Sequence, residues 1–133
     1  MGIEDILKYK TIAVVGISDD PVRPSHFVAG FLDAHGYNII PVNPKLTEWE
    51  GKKCYQDLLS IPVPVDIVDI FRRSEAVPPI VDEAIAIQAK VVWMQEGIIN
   101  EEAAAKAREA GIEVVMDRCM KKEYIRYKGD KRD

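Results

Sequence analysis

The stretch IAVVGISDDPVRPSHFV, residues 12–28, decides the fold of this chain. Its first four residues are small or branched apolar residues, as in a strand that is buried on both faces. Gly16 permits a sharp turn, and the helix that begins near Pro24 and Ser25 offers unpaired N–H groups to an anion. This order of strand, glycine turn and helix is typical of nucleotide-binding proteins, but the repeated glycines of a dinucleotide-binding motif are absent.

The pattern of strand followed by helix recurs along the whole chain. Five apolar runs rich in Val and Ile indicate buried strands, and stretches with helical spacing follow them. We therefore expect an α/β fold of the doubly wound, Rossmann-like type, with a mostly parallel five-stranded sheet of order 3-2-1-4-5 and helices on both faces. The predicted strands cover residues 11–16, 38–42, 65–71, 90–94 and 112–116, and the predicted helices cover residues 25–36, 78–89, 100–111 and 119–127.

Length and composition restrict the class of protein. A chain of 133 residues suits one domain, predicted here as a core over about residues 8–124 with a charged tail over about 125–133. The formal net charge of −4 gives no field that would recruit nucleic acid or an anionic membrane. No apolar run could cross a bilayer and no signal peptide is visible, so a cytoplasmic protein is expected.

The residues that bind metals or form disulfides are few and scattered. The sequence contains two cysteines, Cys54 and Cys119, and two histidines, His26 and His35, without the spacing of a metal site. Free thiols are expected in a reducing compartment. We expect no metal centre.

Ligands of such folds bind beyond the carboxyl ends of the strands, so the residues that follow each strand are the candidates. After the first strand, Ser18 supplies a hydroxyl, Arg23 a positive charge and Ser25 the start of a helix. This loop predicts a phosphate site. In the alternative interpretation, Asp19 and Asp20 form a surface turn and Arg23 pairs with one of them.

The end of the second strand discriminates between ligands. An NAD site has an acidic residue here that binds the ribose hydroxyls, whereas this chain has Asn43, Pro44 and the cation Lys45. A lysine suits a phosphate on the ribose, which NADP and coenzyme A both carry. The alternative is a surface lysine in a turn.

The remaining strand ends add further candidates. Phe71 could stack on an adenine while Arg72 and Arg73 reach phosphate, although paired arginines are also commonly solvated. The tight turn of Gln95, Glu96 and Gly97 follows the fourth strand, and Cys119 follows the fifth at a helix N-terminus, where a thiol can become reactive. A small buried cysteine is the alternative for Cys119. Trp49 and Trp93 are candidates for a homodimer surface, with a core role as the alternative for Trp93.

Five motifs in a fixed order resemble one known family. They are VVGISDDPVRPS (14–25), GYNIIPVNPK (36–45), VDIVDIFRRSEAVPPIVDEAI (65–85), VVWMQEGI (91–98) and AGIEVVMDRCM (110–120). From about Lys8 to Tyr124 the chain resembles the single-domain CoA-binding proteins, whose Rossmann-like fold is similar to the N-terminal CoA-binding domain of the succinyl-CoA synthetase alpha subunit.

The resemblance implies a ligand and a set of contacts. By resemblance, coenzyme A contacts the loop of Gly16, Ile17, Ser18, Asp19 and Asp20, the lysine Lys45, and the turn Gln95 to Gly97. The adenine of this ligand needs a flat apolar slot, which either Phe71 or Ile17 could supply. The synthetase's second domain with its phosphorylated histidine has no counterpart, since neither His26 nor His35 lies in a matching motif. Acyl-CoA synthetase activity is therefore not expected of this chain alone.

These observations lead to one principal hypothesis and two alternatives. The principal hypothesis is a CoA-binding or acyl-CoA-binding protein that acts as a carrier, sensor or subunit, with a homodimer or another protein as partner and no catalytic residues assigned. A mixed disulfide between CoA and Cys119 is a variant of it. The first alternative is an NADP-dependent reductase, for which no hydride-acceptor site is visible. The second is a structural domain that binds no ligand.

Overall fold

Five parallel strands form the central sheet of the computed structural model, which describes residues 1–129 of the chain. A two-stranded hairpin, five α-helices and a single 3-10 turn at Ser74–Ala76 complete this part of the chain. The strands are β1 (Thr11–Val15), β2 (Asn38–Val42), β3 (Glu48–Trp49), β4 (Lys52–Lys53), β5 (Ile67–Ile70), β6 (Val91–Met94) and β7 (Glu113–Val115), and the helices are α1 (Ile3–Ile6), α2 (Pro24–Ala34), α3 (Val77–Ala86), α4 (Glu101–Glu109) and α5 (Met120–Lys128).

The order of the strands corrects the prediction. The sheet runs β2-β1-β5-β6-β7, which is 2-1-3-4-5 for the five predicted strands instead of 3-2-1-4-5. Pro41 explains the edge position of β2, because a proline has no N–H to give to a neighbouring strand. The Pro41 carbonyl accepts from the N–H of Tyr55 at 2.9 Å, on the side away from β1. The third long strand, β5, therefore pairs with β1, with Ile12 beside Ile67.

Apolar side chains cover both faces of the sheet, as the doubly wound prediction requires. One face carries Ile12, Val14 and Trp93 and packs against α1, α2 and α5. The other face carries Val15 and Met94 and packs against α3 and α4. The predicted five-stranded α/β fold with helices on both faces is thus confirmed. Because helices cover both faces, the carboxyl ends of the strands are where a ligand would bind.

The helix ends follow the local sequence signals. Asn100 caps α4 by accepting from the N–H of Ala103 at 2.9 Å, and Gly36 takes the left-handed conformation just after α2. Helix α1 was not predicted, although Ile6 and Leu7 are buried in the core that it extends. At the other end of the chain, α5 continues through Lys128, four residues into the predicted charged tail, and residues 130–133 of that tail lie outside the described residues.

Both tryptophans are buried, which corrects the assignment of Trp49 to a homodimer surface and confirms the core role that was the alternative for Trp93. The short hairpin of β3 and β4 brings Trp49 under the loop after β1, where its indole N–H donates to the carbonyl of Ser18 at 3.0 Å. Trp93 lies in a central strand and donates to the carbonyl of Arg118 at 2.8 Å. Buried indoles of this kind need a hydrogen-bond acceptor, and each has one. Within residues 1–129, no helix is both long and apolar enough to pass through a bilayer.

Candidate functional site

A cavity of about 820 Å³ opens at the carboxyl ends of the parallel strands. Most of the predicted site residues line it, although they come from all five strand ends. The exceptions are Asp20, Pro44 and Gly97, which do not line it. The predicted residues that do are Gly16, Ile17, Ser18, Asp19, Arg23, Ser25, Asn43, Lys45, Phe71, Arg72, Arg73, Gln95, Glu96 and Cys119.

Gly16 permits the loop after β1 to pass close to the end of β5. Its φ is +86°, a conformation that side chains with a Cβ rarely adopt. A Cβ at this position would lie 2.5 Å from the carbonyl oxygen of Phe71 and 2.8 Å from Cδ of Arg72. Glycine is therefore required here both by the backbone conformation and by the lack of space.

The loop from Ser18 to Ser25 is held by its own hydrogen bonds. The Ser25 hydroxyl accepts from the N–H of Ser18 at 2.9 Å, and the Ser18 hydroxyl accepts from the N–H of Asp20 at 3.0 Å. Behind the loop, His26 Nδ1 lies 2.9 Å from the carbonyl of Ser18, and its Nε2 lies 3.0 Å from a carboxylate oxygen of Glu50. These contacts fix the loop before any ligand binds.

Three backbone N–H groups of this loop remain available. Those of Ile17, Asp19 and Ser25 have no hydrogen-bond acceptor within residues 1–129. Ser25 belongs to the first turn of α2, whose aligned peptide dipoles attract negative charge. Unpaired N–H groups in a loop and at the helix N-terminus that follows it are a common way of binding phosphate.

Asn43 joins the end of β2 to the same loop. Its Nδ2 donates to the carbonyl of Ile17 at 2.8 Å, and its Oδ1 accepts from the N–H of Lys45 at 2.8 Å. The side chain of Ile17 is buried in the core, which leaves Phe71, half-buried at the cavity wall, as the candidate for an adenine platform.

Four cations line the cavity without an ion pair to any described residue: Arg23, Lys45, Arg72 and Arg73. The predicted alternative in which Arg23 pairs with Asp19 or Asp20 is not what the structure has. A fifth cation, Lys122, contacts Glu96 at 2.9 Å, and this carboxylate raises the pKa of the lysine. Unpaired cations around one cavity suit an anionic ligand with several charges.

A buried polar pair lies beneath the turn after β6. Gln95 lines the cavity, and its Nε2 donates to Oδ1 of Asp69 at 2.9 Å. Asp69 lies in the middle of β5 and has no exposed surface. Burial raises the pKa of this carboxyl well above its ordinary value, because the charged form loses its hydration. Nearby, Gly97 turns with a φ of +86° and donates to Asp117 at 2.7 Å, outside the cavity lining.

The two cysteines have different environments. Cys119 occupies the N-cap position of α5, is partly exposed and lines the cavity, which agrees with the predicted position at a helix N-terminus. Cys54 is buried, and burial raises the pKa of its thiol. Thiol chemistry with a ligand in the cavity would therefore involve Cys119 and not Cys54.

The sequence did not identify every residue that lines the cavity, and it did not identify Asp69, which lies behind Gln95. The apolar residues of the first turns of α2 and the loops next to the predicted sites had no charge or motif to mark them. Asp69 had a visible signal, since an acidic residue in the middle of an apolar strand is unusual. The missed apolar lining residues are Pro24, Phe27, Val28, Leu46 and Ile98. The charged Lys122 was also missed, because it lies within α5 and not directly after a strand.

Comparison with known proteins shows the family and supports the fold. The family model described as a CoA binding domain matches residues 10–125. The uncharacterized protein YneT of Bacillus subtilis is 47% identical over 120 residues, covering 90% of this chain and 89% of that protein. A solved structure of a hypothetical protein from Pyrococcus horikoshii superimposes with a TM-score of 0.91 at 43% identity, covering 96% of this chain and 92% of that one.

A larger protein shares the same region. Acetate–CoA ligase [ADP-forming] I of Archaeoglobus fulgidus is 27% identical over 128 residues, which cover 89% of this chain but only 19% of the ligase. The chain is thus homologous to the CoA-binding region of ADP-forming acetyl-CoA synthetases and corresponds to a small part of such an enzyme. From the family match over most of its length, this chain belongs to the CoA-binding domain family.

Proposed function

We propose that this single-domain protein binds coenzyme A or an acyl-CoA in the cavity and serves as a cytoplasmic carrier, sensor or subunit without synthetase activity of its own. The observation that carries the proposal is the set of four unpaired cations, Arg23, Lys45, Arg72 and Arg73, around one cavity. The whole chain has a net charge of −4, so this local excess of positive charge is not a general property of its surface.

The chemistry of coenzyme A matches the parts of the cavity. The molecule carries an adenine, a 3′-phosphate, a pyrophosphate and a long neutral arm that ends in a thiol. Phe71 offers the adenine an aromatic wall, Lys45 a cation for the 3′-phosphate, and the loop before Ser25 a set of unpaired N–H groups for the pyrophosphate. The turn at Gln95 and Glu96 is left for the arm.

A titration with matched ligands tests the proposal. We expect heat of binding with CoA, at least tenfold weaker binding with dephospho-CoA, and little with NADP, whose extra phosphate is at the 2′ instead of the 3′ position of the adenosine ribose and which has a nicotinamide riboside in place of the arm. The variant Lys45→Met should bind CoA and dephospho-CoA equally, since the 3′-phosphate has lost its cation. Lys8→Met, an exposed lysine that pairs with Asp5 away from the cavity, is the control. Binding of NADP in preference to CoA would support the reductase instead.

A mixed disulfide with CoA is a second candidate function, favoured by the position of Cys119 in the cavity lining. Cys119 would lose its thiol proton to solvent, and its thiolate would attack one sulfur of CoA disulfide, so that an S–S bond to one CoA forms while the S–S bond of the disulfide breaks. The other CoA leaves as a thiolate and takes a proton from solvent, and the CoA disulfide is the oxidant. Intact mass after incubation should show one CoA adduct, absent in Cys119→Ser and kept in Cys54→Ser. No adduct on the unaltered protein would exclude this reaction.

A further inference from the structure

Asp69 is a carboxyl group with no contact with solvent and an incomplete set of partners. It lies in β5, between Val14 of β1 and Trp93 of β6 in the register of the sheet. Oδ1 accepts from Gln95, while Oδ2 is buried and has no hydrogen-bond partner in the described part of the chain. A buried carboxylate without a cation is costly, so its burial favours the neutral acid. The other residues of β5, Ile67, Val68 and Ile70, are apolar and buried. An apolar residue at position 69 would therefore be favoured if stability alone determined the sequence.

The bond to Asp69 determines what Gln95 can offer the cavity. Gln95 is buried but lines the cavity wall. Its Nε2 is engaged with Asp69 at 2.9 Å, and its Oε1 has no donor among residues 1–129. An amide that is held at its nitrogen keeps one orientation and leaves its oxygen as an acceptor for a ligand.

We propose that Asp69 is a positioning residue, which holds the Gln95 amide so that Oε1 accepts a hydrogen bond from the neutral arm of the bound ligand. The inference rests on the proposed function. Phosphates at neutral pH accept hydrogen bonds but have few protons to donate, whereas the arm of CoA carries two amide N–H groups and a hydroxyl. A neutral acid beneath Gln95 also adds no negative charge below a polyanion.

Two ligands separate this role from a general effect on the fold. CoA has the arm, and adenosine 3′,5′-bisphosphate lacks it while retaining the adenine and the 3′-phosphate. Loss of the Asp69 contact should lower the affinity for CoA by about fivefold to tenfold, the size of one hydrogen bond, and leave the affinity for the bisphosphate within about twofold.

The variants are Asp69→Leu, which removes the acceptor, Asp69→Asn, which keeps an oxygen at the same place, and Gln95→Met. Asp69→Asn should retain CoA affinity. Asp69→Leu, Gln95→Met and the double variant should all lose the same amount, because the two residues act as a unit. Val68→Ala, which truncates a buried side chain of the same strand on the opposite face, is the control for a merely structural effect and should keep both affinities. Asp69→Ser gives the same comparison if the leucine variant does not fold.

Each result has a definite meaning. CoA binding that Asp69→Leu leaves unchanged, while Gln95→Met weakens it, would overturn the role of Asp69 alone. An equal loss for CoA and the bisphosphate would also overturn it, because adenine recognition or general damage would then explain the effect. If the unaltered protein binds neither ligand, the proposed function fails and this inference fails with it.

Discussion

Asn43 Nδ2 donates to the carbonyl oxygen of Ile17 at 2.8 Å, and this bond joins the end of β2 to the loop after β1. The same side chain accepts from the N–H of Lys45. Asn43→Ala should lower the free energy of unfolding by about 2 kcal/mol, since two hydrogen bonds of about 1 kcal/mol each are lost. CoA affinity should fall as well, because the loop after β1 and Lys45 each lose a hydrogen bond that holds them in place. Urea unfolding and a CoA titration measure the two effects, and an unchanged unfolding free energy would contradict the account.

The position of Gly16 gives a second prediction. Gly16→Ala places a Cβ 2.5 Å from the Phe71 carbonyl, in addition to the cost of about 1–2 kcal/mol for a positive φ. Gly111 has nearly the same φ, +85°, but an added Cβ would meet nothing within 4 Å. Gly111→Ala is thus the matched control for strain without a clash. We expect Gly16→Ala to be destabilised more than Gly111→Ala in thermal unfolding and to lose CoA binding, whereas equal losses of stability would exclude the clash.

The buried carboxyl of Asp69 predicts a dependence of stability on pH. Its folded-state pKa lies well above its ordinary value of 3.8, so the folded protein holds a proton that the unfolded chain releases. The contribution to stability is complete below about pH 4 and declines as the pH rises toward the folded-state pKa. Asp69→Asn removes this titration.

The measurement is urea unfolding of the unaltered protein and Asp69→Asn at several pH values. The variant should gain relative stability by up to about 1.4 kcal/mol for each pH unit above about pH 4. Asp82→Asn, which alters an exposed carboxyl paired with Lys106, is the control and should show no comparable trend. A stability difference that is constant with pH would mean that Asp69 keeps its ordinary pKa.

The two thiols should differ in reactivity. Cys119 is partly exposed at the cavity wall, while Cys54 is buried with a raised pKa and a smaller thiolate fraction. An aromatic disulfide reagent should modify Cys119 first, and bound CoA should slow that reaction by covering the cavity. In Cys119→Ser, only the slow reaction of Cys54 should remain. Equal rates for both thiols, or no protection by CoA, would contradict this assignment.

The sequence allowed the fold class and most of the site to be predicted for a single physical reason. In a parallel sheet every strand ends at the same edge, so residues that follow different strands meet even when they are far apart in sequence. Thus Lys45, Phe71 and Gln95 could be assigned to one site without knowledge of the strand order. The predicted strand order was wrong because β2 is an edge strand, a position that the missing N–H of Pro41 favours.

Contacts between side chains that lie far apart in sequence were harder to predict from the sequence. Trp49 lies in a polar segment of the sequence, which is typical of an exposed aromatic residue. It is buried because the hairpin of β3 and β4 packs it against Ser18. The pairing of Asp69 with Gln95 joins β5 to the turn after β6, between residues that are 26 positions apart in sequence. The acid in the apolar run was visible, but its partner depended on which strand lies beside β5.

Native mass spectrometry of the purified protein with added CoA and dephospho-CoA measures whether the cavity distinguishes the 3′-phosphate. We expect one CoA-sized mass increase at ligand concentrations where dephospho-CoA gives none, and we expect Lys45→Met to abolish this preference. No CoA adduct, or equal adducts from both ligands on the unaltered protein, would contradict the claim that the unpaired cations of this cavity bind the phosphates of coenzyme A.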